Sequence, residues 1–168
     1  MSSSAGIIII GDEILSGRTK DTNINWIANE LNEIGIKLKE ARVIEDDKKT
    51  IINTVLEFSK KFTYVFTSGG IGPTHDDITT ESIAAAFKVD LEKNKIAMNL
   101  LKKHYEKSNI DFNEARQKMA IIPKGASLID NPVSVAPGFN IKNVYVFAGI
   151  PKIMQSMFHS ISGKLKGG

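Results

Sequence analysis

The stretch Thr67-Ser-Gly-Gly-Ile-Gly-Pro-Thr-His-Asp-Asp-Ile-Thr-Thr-Glu81 constrains this chain more than any other. A short apolar β-type run, Phe62 to Phe66, precedes it, and a helix-like run, Ile78 to Phe87, follows. The pattern is a strand, a glycine loop and a helix start. Gly69, Gly70 and Gly72 let backbone N–H groups approach a ligand closely. The helix N-terminus just beyond adds a partial positive charge suited to an anionic group. Ser68, Pro73 and Thr74 belong to the same loop, and His75, Asp76, Asp77 and Glu81 follow it. These four can hold a metal or move a proton, so one stretch carries the parts of a site for a phosphorylated ligand.

The flanking sequence repeats the alternation. Ala5 to Ile10 is a continuous apolar run, as in a strand buried on both faces of a parallel sheet. A helix is expected from about Thr22, capped by Asp21 or Thr22. Its apolar face is Ile24, Ile27, Leu31 and Ile34, and Gly35 stops it. Ile36 to Ile44 reads as the second strand. Asp47 caps a helix with Ile51, Val55 and Phe58 inward, and Phe62 to Thr67 is the third strand. Helices are expected over Ile78 to Ala86, Leu91 to Ser108 and Asn113 to Met119. Ala126 to Ile129 and Val144 to Ala148 read as short strands. Pro151 opens a last helix with Met154, Met157, Phe158 and Ile161 inward. Strands separated by helices imply a doubly wound sheet, whose ligands bind beyond the carboxyl ends of the strands.

Four segments then converge on one crevice. Gly11, Asp12 and Glu13 follow the first strand, with Ser16 and Arg18 close behind. Glu45-Asp46-Asp47 follows the second strand, where a helix N-cap cluster is the plainer reading. The glycine loop is the third. Asn131 to Gly138, containing Ser134 and Pro137, is the fourth, backed by Ala148 to Pro151. His104 and His159 sit in helical patterns and read as surface or structural residues, and Trp26 as core or helix edge.

Composition excludes several classes. The formal charge of +3 over 168 residues is small and spread out, which argues against a dedicated nucleic-acid binder. With no cysteine there is no disulfide framework, thiolate nucleophile or cysteine metal site, which fits a reducing cytoplasm. No apolar run approaches the ~18 residues of a membrane span. The motifs of P-loop NTPases, Rossmann oxidoreductases and α/β-hydrolases are missing. Residues 1–168 read as one domain.

Gly11-Asp-Glu-Ile-Leu-Ser-Gly17, Thr67 to Thr79, Asn131-Pro-Val-Ser-Val-Ala-Pro-Gly-Phe139 and Ala148-Gly-Ile-Pro-Lys-Ile-Met154 occur in that order. Together they resemble the molybdopterin-binding domain family of molybdenum cofactor biosynthesis. The branch most similar is the N-terminal domain of the competence/damage-inducible protein CinA, with a domain of eukaryotic FAD synthases nearby. The resemblance runs from about Gly6 to Phe158. It implies a three-layer α/β/α fold with a mostly parallel sheet that binds a phosphorylated pterin (molybdopterin) or a related nucleotide. It also implies a homo-oligomer, dimer over trimer, for which Met154, Met157 and Phe158 offer an adaptable apolar face. By the same resemblance Asp77, Glu81 and Asp46 are the catalytic candidates. Asp77 and Asp46 would hold a divalent metal, Mg²⁺ or similar. The alternative activity is divalent-metal-dependent hydrolysis of ADP-ribose or a similar dinucleotide. Ser134 stands where the family usually has glycine, and a side chain there is expected to narrow the pocket. The chain ends soon after the last motif, where CinA-like proteins usually continue, as a truncated member would. On this reading Gly70→Val should weaken binding without unfolding the domain.

Overall fold

The computed structural model describes residues 2–167. In chain order the elements are β1 Ser4–Ile10, α1 Asp12–Leu15, α2 Asn23–Glu33, β2 Lys37–Ile44, α3 Lys48–Lys61, β3 Tyr64–Ser68 and α4 Thr79–Ala86. There follow β4 Leu91–Lys93, α5 Lys95–Lys107, α6 Glu114–Gln117, β5 Ile121–Pro123, β6 Ser127–Ile129, β7 Gly138–Ile141, β8 Val144–Phe147 and α7 Pro151–Ile161. The main sheet has the order β2-β1-β3-β8-β7-β6, and β4 and β5 form a separate two-stranded ribbon. β1 pairs in parallel with β2 and β3, and β3 with β8. β7 is antiparallel to both its neighbours, so it alone runs against the others.

The isoleucine run of β1 explains the three layers. Alternate side chains leave opposite faces of a strand. Ile7 and Ile9 pack with Ile27 and Leu31 of α2 and with Met154, Met157 and Phe158 of α7. Ile8 and Ile10 pack with Ile51, Val55 and Phe58 of α3 and with Ile83 of α4. Burial on both sides makes each such isoleucine worth about 1.5–3 kcal/mol. The expected three-layer α/β/α sandwich with a mostly parallel sheet is therefore what forms. No helix among the described residues is long and apolar enough to cross a membrane.

Several expectations need correction. The helix expected from Leu91 begins only at Lys95, where the Asn94 side chain accepts from the amide of Ala97. The preceding residues Leu91–Lys93 pair instead with Ile121–Pro123, a strand too short to leave a period-two signature. β7 was also missed, so Gly138 opens a strand rather than lying in a loop. A Cβ at Gly138 would stand 2.3 Å from the carbonyl oxygen of Val146, so that glycine serves sheet packing. Met154, Met157 and Phe158 are buried against the sheet and offer no association face. Trp26 packs edge-on against Phe158, with ring centroids 5.5 Å apart.

Candidate functional site

The order β2-β1-β3 places a topological switch point between β1 and β3, where an open α/β sheet leaves a crevice at its carboxyl edge. The loops after β1 and β3 rise on either side of it. The loop from Asp130 to Pro137 reaches the same edge because it joins the end of β6 to the start of the reversed β7. All four expected segments therefore meet there, but they build two clefts rather than one.

The glycine loop is the wall between them, and its shape is dictated by contacts. Gly69 has φ +107°, and a Cβ there would stand 2.2 Å from the carbonyl oxygen of Ile10. Gly70 has φ +78°, and its Cβ would meet Thr79 Oγ1 at 2.0 Å. That hydroxyl is buried and donates to the carbonyl of Gly69 at 2.8 Å. Glycine at 69 and 70 is thus required by the turn itself. Gly70→Val would displace Thr79 and damage the fold, contrary to the expectation from sequence. Gly72 is different: the Asp77 carboxylate fills the space a Cβ would need, at 2.8 Å.

Asp77 folds back on its own loop. Its Oδ2 accepts from the amide and the hydroxyl of Thr74, at 3.0 and 2.8 Å. Lys118 completes the closure, its Nζ donating to the carbonyls of Thr74 and of Asp77, the latter at 2.6 Å. Sequence reasoning missed Lys118, because a single lysine far along the chain carries no local signal. The amides of Gly70, Ile71 and Gly72 take no protein partner among the described residues. Those of Thr80 and Glu81 lie in the uncapped first turn of α4 and have no intrahelical acceptor. Unpaired amides, a helix N-terminus and an ammonium group make this end of the loop an anion-binding environment.

The first cleft, ≈ 180 Å³, lies between this loop, the β4–β5 ribbon and Pro137. Gly72, Asp77, Thr80, Glu81 and Lys118 line one part, and carbon-rich side chains line the rest. The second cleft is acidic and lies on the other side of the loop, lined by Asp12, Glu13, Arg18, Asp46, His75 and Asp76. Here Asp12 and Asp46 clamp the ends of β1 and β2 reciprocally. Asp46 Oδ2 accepts from the Asp12 amide at 3.1 Å, and Asp12 Oδ1 from the Asp46 amide at 3.0 Å. Burial raises the pKa of the Asp46 carboxyl; the hydrogen bond from the Asp12 amide opposes this, and the charges of Asp12, Glu13 and Asp77 add to the rise. Asp47, not Asp46, caps α3, accepting from the amide and hydroxyl of Thr50. His75 and Asp76 are both largely exposed and lie 3.4 Å apart.

Asp46 and Asp77 line different clefts. Among the described residues no three His, Asp or Glu side chains converge as a ligand group for a metal ion. Each carboxylate that meets a backbone amide has one oxygen committed.

Behind the glycine loop, Asn23 ties three elements together, donating to Ser68 Oγ at 2.9 Å and to the carbonyl of Gly149 at 3.0 Å. Its start-of-helix position gave no hint of this. Ser134 does not line either cleft. Its hydroxyl accepts from Asn131 Nδ2 at 2.7 Å, and Asn131 Oδ1 accepts from the amides of Val133 and Ser134. The serine is absorbed by its own loop and does not narrow the pocket. The same loop holds Val135 at φ +76°, a strained conformation for a β-branched residue.

Known proteins resemble this chain in sequence and in fold. A protein from Sulfurisphaera tokodaii is 38% identical over 165 residues, covering 95% of this chain and 63% of that protein. One from Saccharolobus islandicus is 37% identical over 166 residues, again covering 63% of its length. The chain thus spans a little under two thirds of these curated relatives. Among solved structures, CinA from Thermoplasma acidophilum, described as of unknown function, is 34% identical with a TM-score of 0.89, and 97% of this chain aligns with 98% of that one. The tungsten cofactor synthesizing protein MoaB from Pyrococcus furiosus, 21% identical, shares the fold at a TM-score of 0.62 over 97% of this chain and 92% of that one. A family profile described as "probable molybdopterin binding domain" matches residues 6–166. With nearly the whole chain matched and the glycine loop, its neighbours and the sheet order all in place, the chain belongs to that molybdopterin-binding domain family.

Proposed function

We propose that this domain binds a small phosphorylated ring compound, a pterin of the molybdopterin kind or a related nucleotide, at the glycine loop. The observation that carries the reading is the set of amides at Gly70, Ile71 and Gly72 without protein partners, beside the first turn of α4 and the Lys118 ammonium. Buried or half-buried donors left unpaired in a fold favour an acceptor-rich ligand. A phosphate offers three such oxygens and the matching charge. Ligand-binding roles for Ser68, Gly69, Gly70, Gly72, Pro73, Thr74 and Pro137 follow from this reading, with Ser68 and Gly69 acting through loop shape.

Calorimetric titration with neopterin monophosphate and with unphosphorylated neopterin tests it. Charge-assisted hydrogen bonds contribute about 1.5–3 kcal/mol each, so removing the phosphate is expected to weaken binding roughly 10- to 100-fold or more. Equal affinity for the two would sink the reading.

A second reading draws on the acidic cleft, where Asp46 feels the charges of Asp12 and Glu13 beside it and of Asp77 on the far side of the loop. We infer that this cleft holds a divalent cation, Mg²⁺ or similar, against the phosphates of a dinucleotide such as ADP-ribose. The cation would supply charge neutralisation for pyrophosphate hydrolysis. Asp46 and Asp12 would hold it, and Asp77 and Glu81 would stand on the phosphate side. The electrostatics make a stability test available. The folded-state pKa of Asp46 is raised, so its ionised form opposes folding above that pKa, and the penalty disappears as pH falls through it. At neutral pH Asp46→Asn is expected to melt higher than the wild type without Mg²⁺, and to lose the upward shift that Mg²⁺ gives the wild type. The wild-type Mg²⁺ response should itself fade on acidification through the same window. Thermal melts across pH, with and without Mg²⁺, check this. A variant that keeps the full Mg²⁺ shift would remove Asp46 from the cation site.

A further inference from the structure

The first cleft has a lining that phosphate binding does not use. Ile71, Met119, Ile122, Pro137 and Phe139 supply carbon surface, and Leu91 stands at the cleft with 41% of its surface exposed. Drug-sized ligands fill about 300–1,000 Å³, so a cleft of ≈ 180 Å³ is a subsite for part of a molecule. Carbon walls with polar groups on one side suit a flat ring that hydrogen-bonds along one edge.

Three charged side chains line that polar side, Asp77, Glu81 and Lys118, and Asp77 folds back on its own loop with Oδ2 taken by Thr74. They form no ion pair with each other, and the Glu81 carboxylate takes no ion-pair partner among the described residues. Lys118 has two of its three N–H bonds committed to Thr74 and Asp77. What remains on offer is a carboxylate with two acceptor oxygens and one ammonium donor. We propose that this cleft recognises a heterocycle whose edge reads donor, donor, acceptor: an amino group, an adjacent ring N–H and a carbonyl oxygen. A pterin and a guanine both carry that edge. An adenine does not, since it offers one amino donor beside a ring acceptor.

In this assignment the amino group and ring N–H donate to the two oxygens of Glu81, while Lys118 Nζ donates to the ring carbonyl. Glu81 is then a specificity-determining residue rather than a general acid or base. The inference rests on the proposed binding of a phosphorylated ring compound and names the class of ring. It also bears on the choice between ligands, because ADP-ribose presents adenine.

The test measures affinities of neopterin monophosphate, GMP and AMP for the wild-type chain and for Glu81→Gln. The wild type is expected to prefer the first two over AMP by roughly 10- to 100-fold, the discrimination a bidentate edge contact gives. Glutamine keeps the length but presents one acceptor and one donor, which matches adenine's edge instead. Glu81→Gln should therefore lose most of its affinity for neopterin monophosphate and GMP while AMP binding holds or improves. A structural role for Glu81 would weaken all three alike, and melting curves of the variant identify a fold defect. Equal wild-type affinity for AMP and GMP, or an unchanged ranking in Glu81→Gln, would overturn the inference while leaving phosphate binding intact. Absence of binding by all three would overturn both. Neopterin monophosphate bound and GMP rejected would confine the edge recognition to pterins, and the reverse to guanine, each still supporting the role of Glu81.

Discussion

Gly69→Ala is expected to lower stability by about 2–6 kcal/mol. Two penalties combine. A non-glycine residue at φ +107° carries backbone strain of about 1–3 kcal/mol. The new Cβ would also stand 2.2 Å from the Ile10 carbonyl oxygen, and forcing β1 and β3 apart adds about 1–3 kcal/mol of overpacking. The displaced atom is backbone in β1, a strand paired on both sides, so no rotamer change relieves it. Gly125→Ala is the matched control. It also has positive φ, +86°, but nothing lies within 4 Å of its added Cβ, so only the strain remains. Urea denaturation of both variants checks the difference. Equal midpoints would show that the contact with Ile10 does not limit the turn.

Lys118→Met is expected to give the largest loss of binding among the residues that sequence reasoning overlooked. Methionine keeps most of the stem and its packing in the cleft but removes the ammonium. The carbonyls of Thr74 and Asp77 then lose their donor, and the loop that carries the unpaired amides loses the tie that holds it shut. Hydrogen bonds to charged groups are worth about 1.5–3 kcal/mol, so affinity for neopterin monophosphate should fall roughly 10- to 100-fold or more. The loop sits at the surface and the main core is untouched, so the melting temperature should move little. Lys118→Arg should recover part of the affinity. Wild-type binding by Lys118→Met would show that the helix N-terminus and amides suffice alone.

The two variants mark where local pattern and tertiary contact each govern. The isoleucine run of β1 was legible because period-two burial on both faces leaves no room for polar residues. The glycine loop was legible because closely spaced glycines between a strand and a helix start mark a turn with positive φ, as Gly69 and Gly70 have. The caps at Asp21, Asp47 and Gly35 are likewise contacts within a few residues of chain, so their signatures are written locally. The ribbon of β4 and β5 was not legible. Its strands are three residues each, separated by the helices α5 and α6, and Leu-Glu-Lys reads equally well as a helix start.

The expected site divides in the same way. Residue types and spacing were sufficient to bring Asp12, Asp46, Asp77, Glu81 and the glycines to one edge of the sheet, because each follows a parallel strand. Which cleft each carboxylate faces was decided by the fold: Asp46 beside Asp12, Asp77 against Thr74, Glu81 in the cleft that Lys118 also lines. Sequence by itself determined the elements, their burial and the turn glycines, since those depend on interactions between near neighbours. Only the tertiary structure decided that one loop separates a carbon-walled cleft lined by Lys118 from an acidic one. That division is set by contacts such as Lys118 with Thr74, made across 44 residues of chain, where no local pattern can record them.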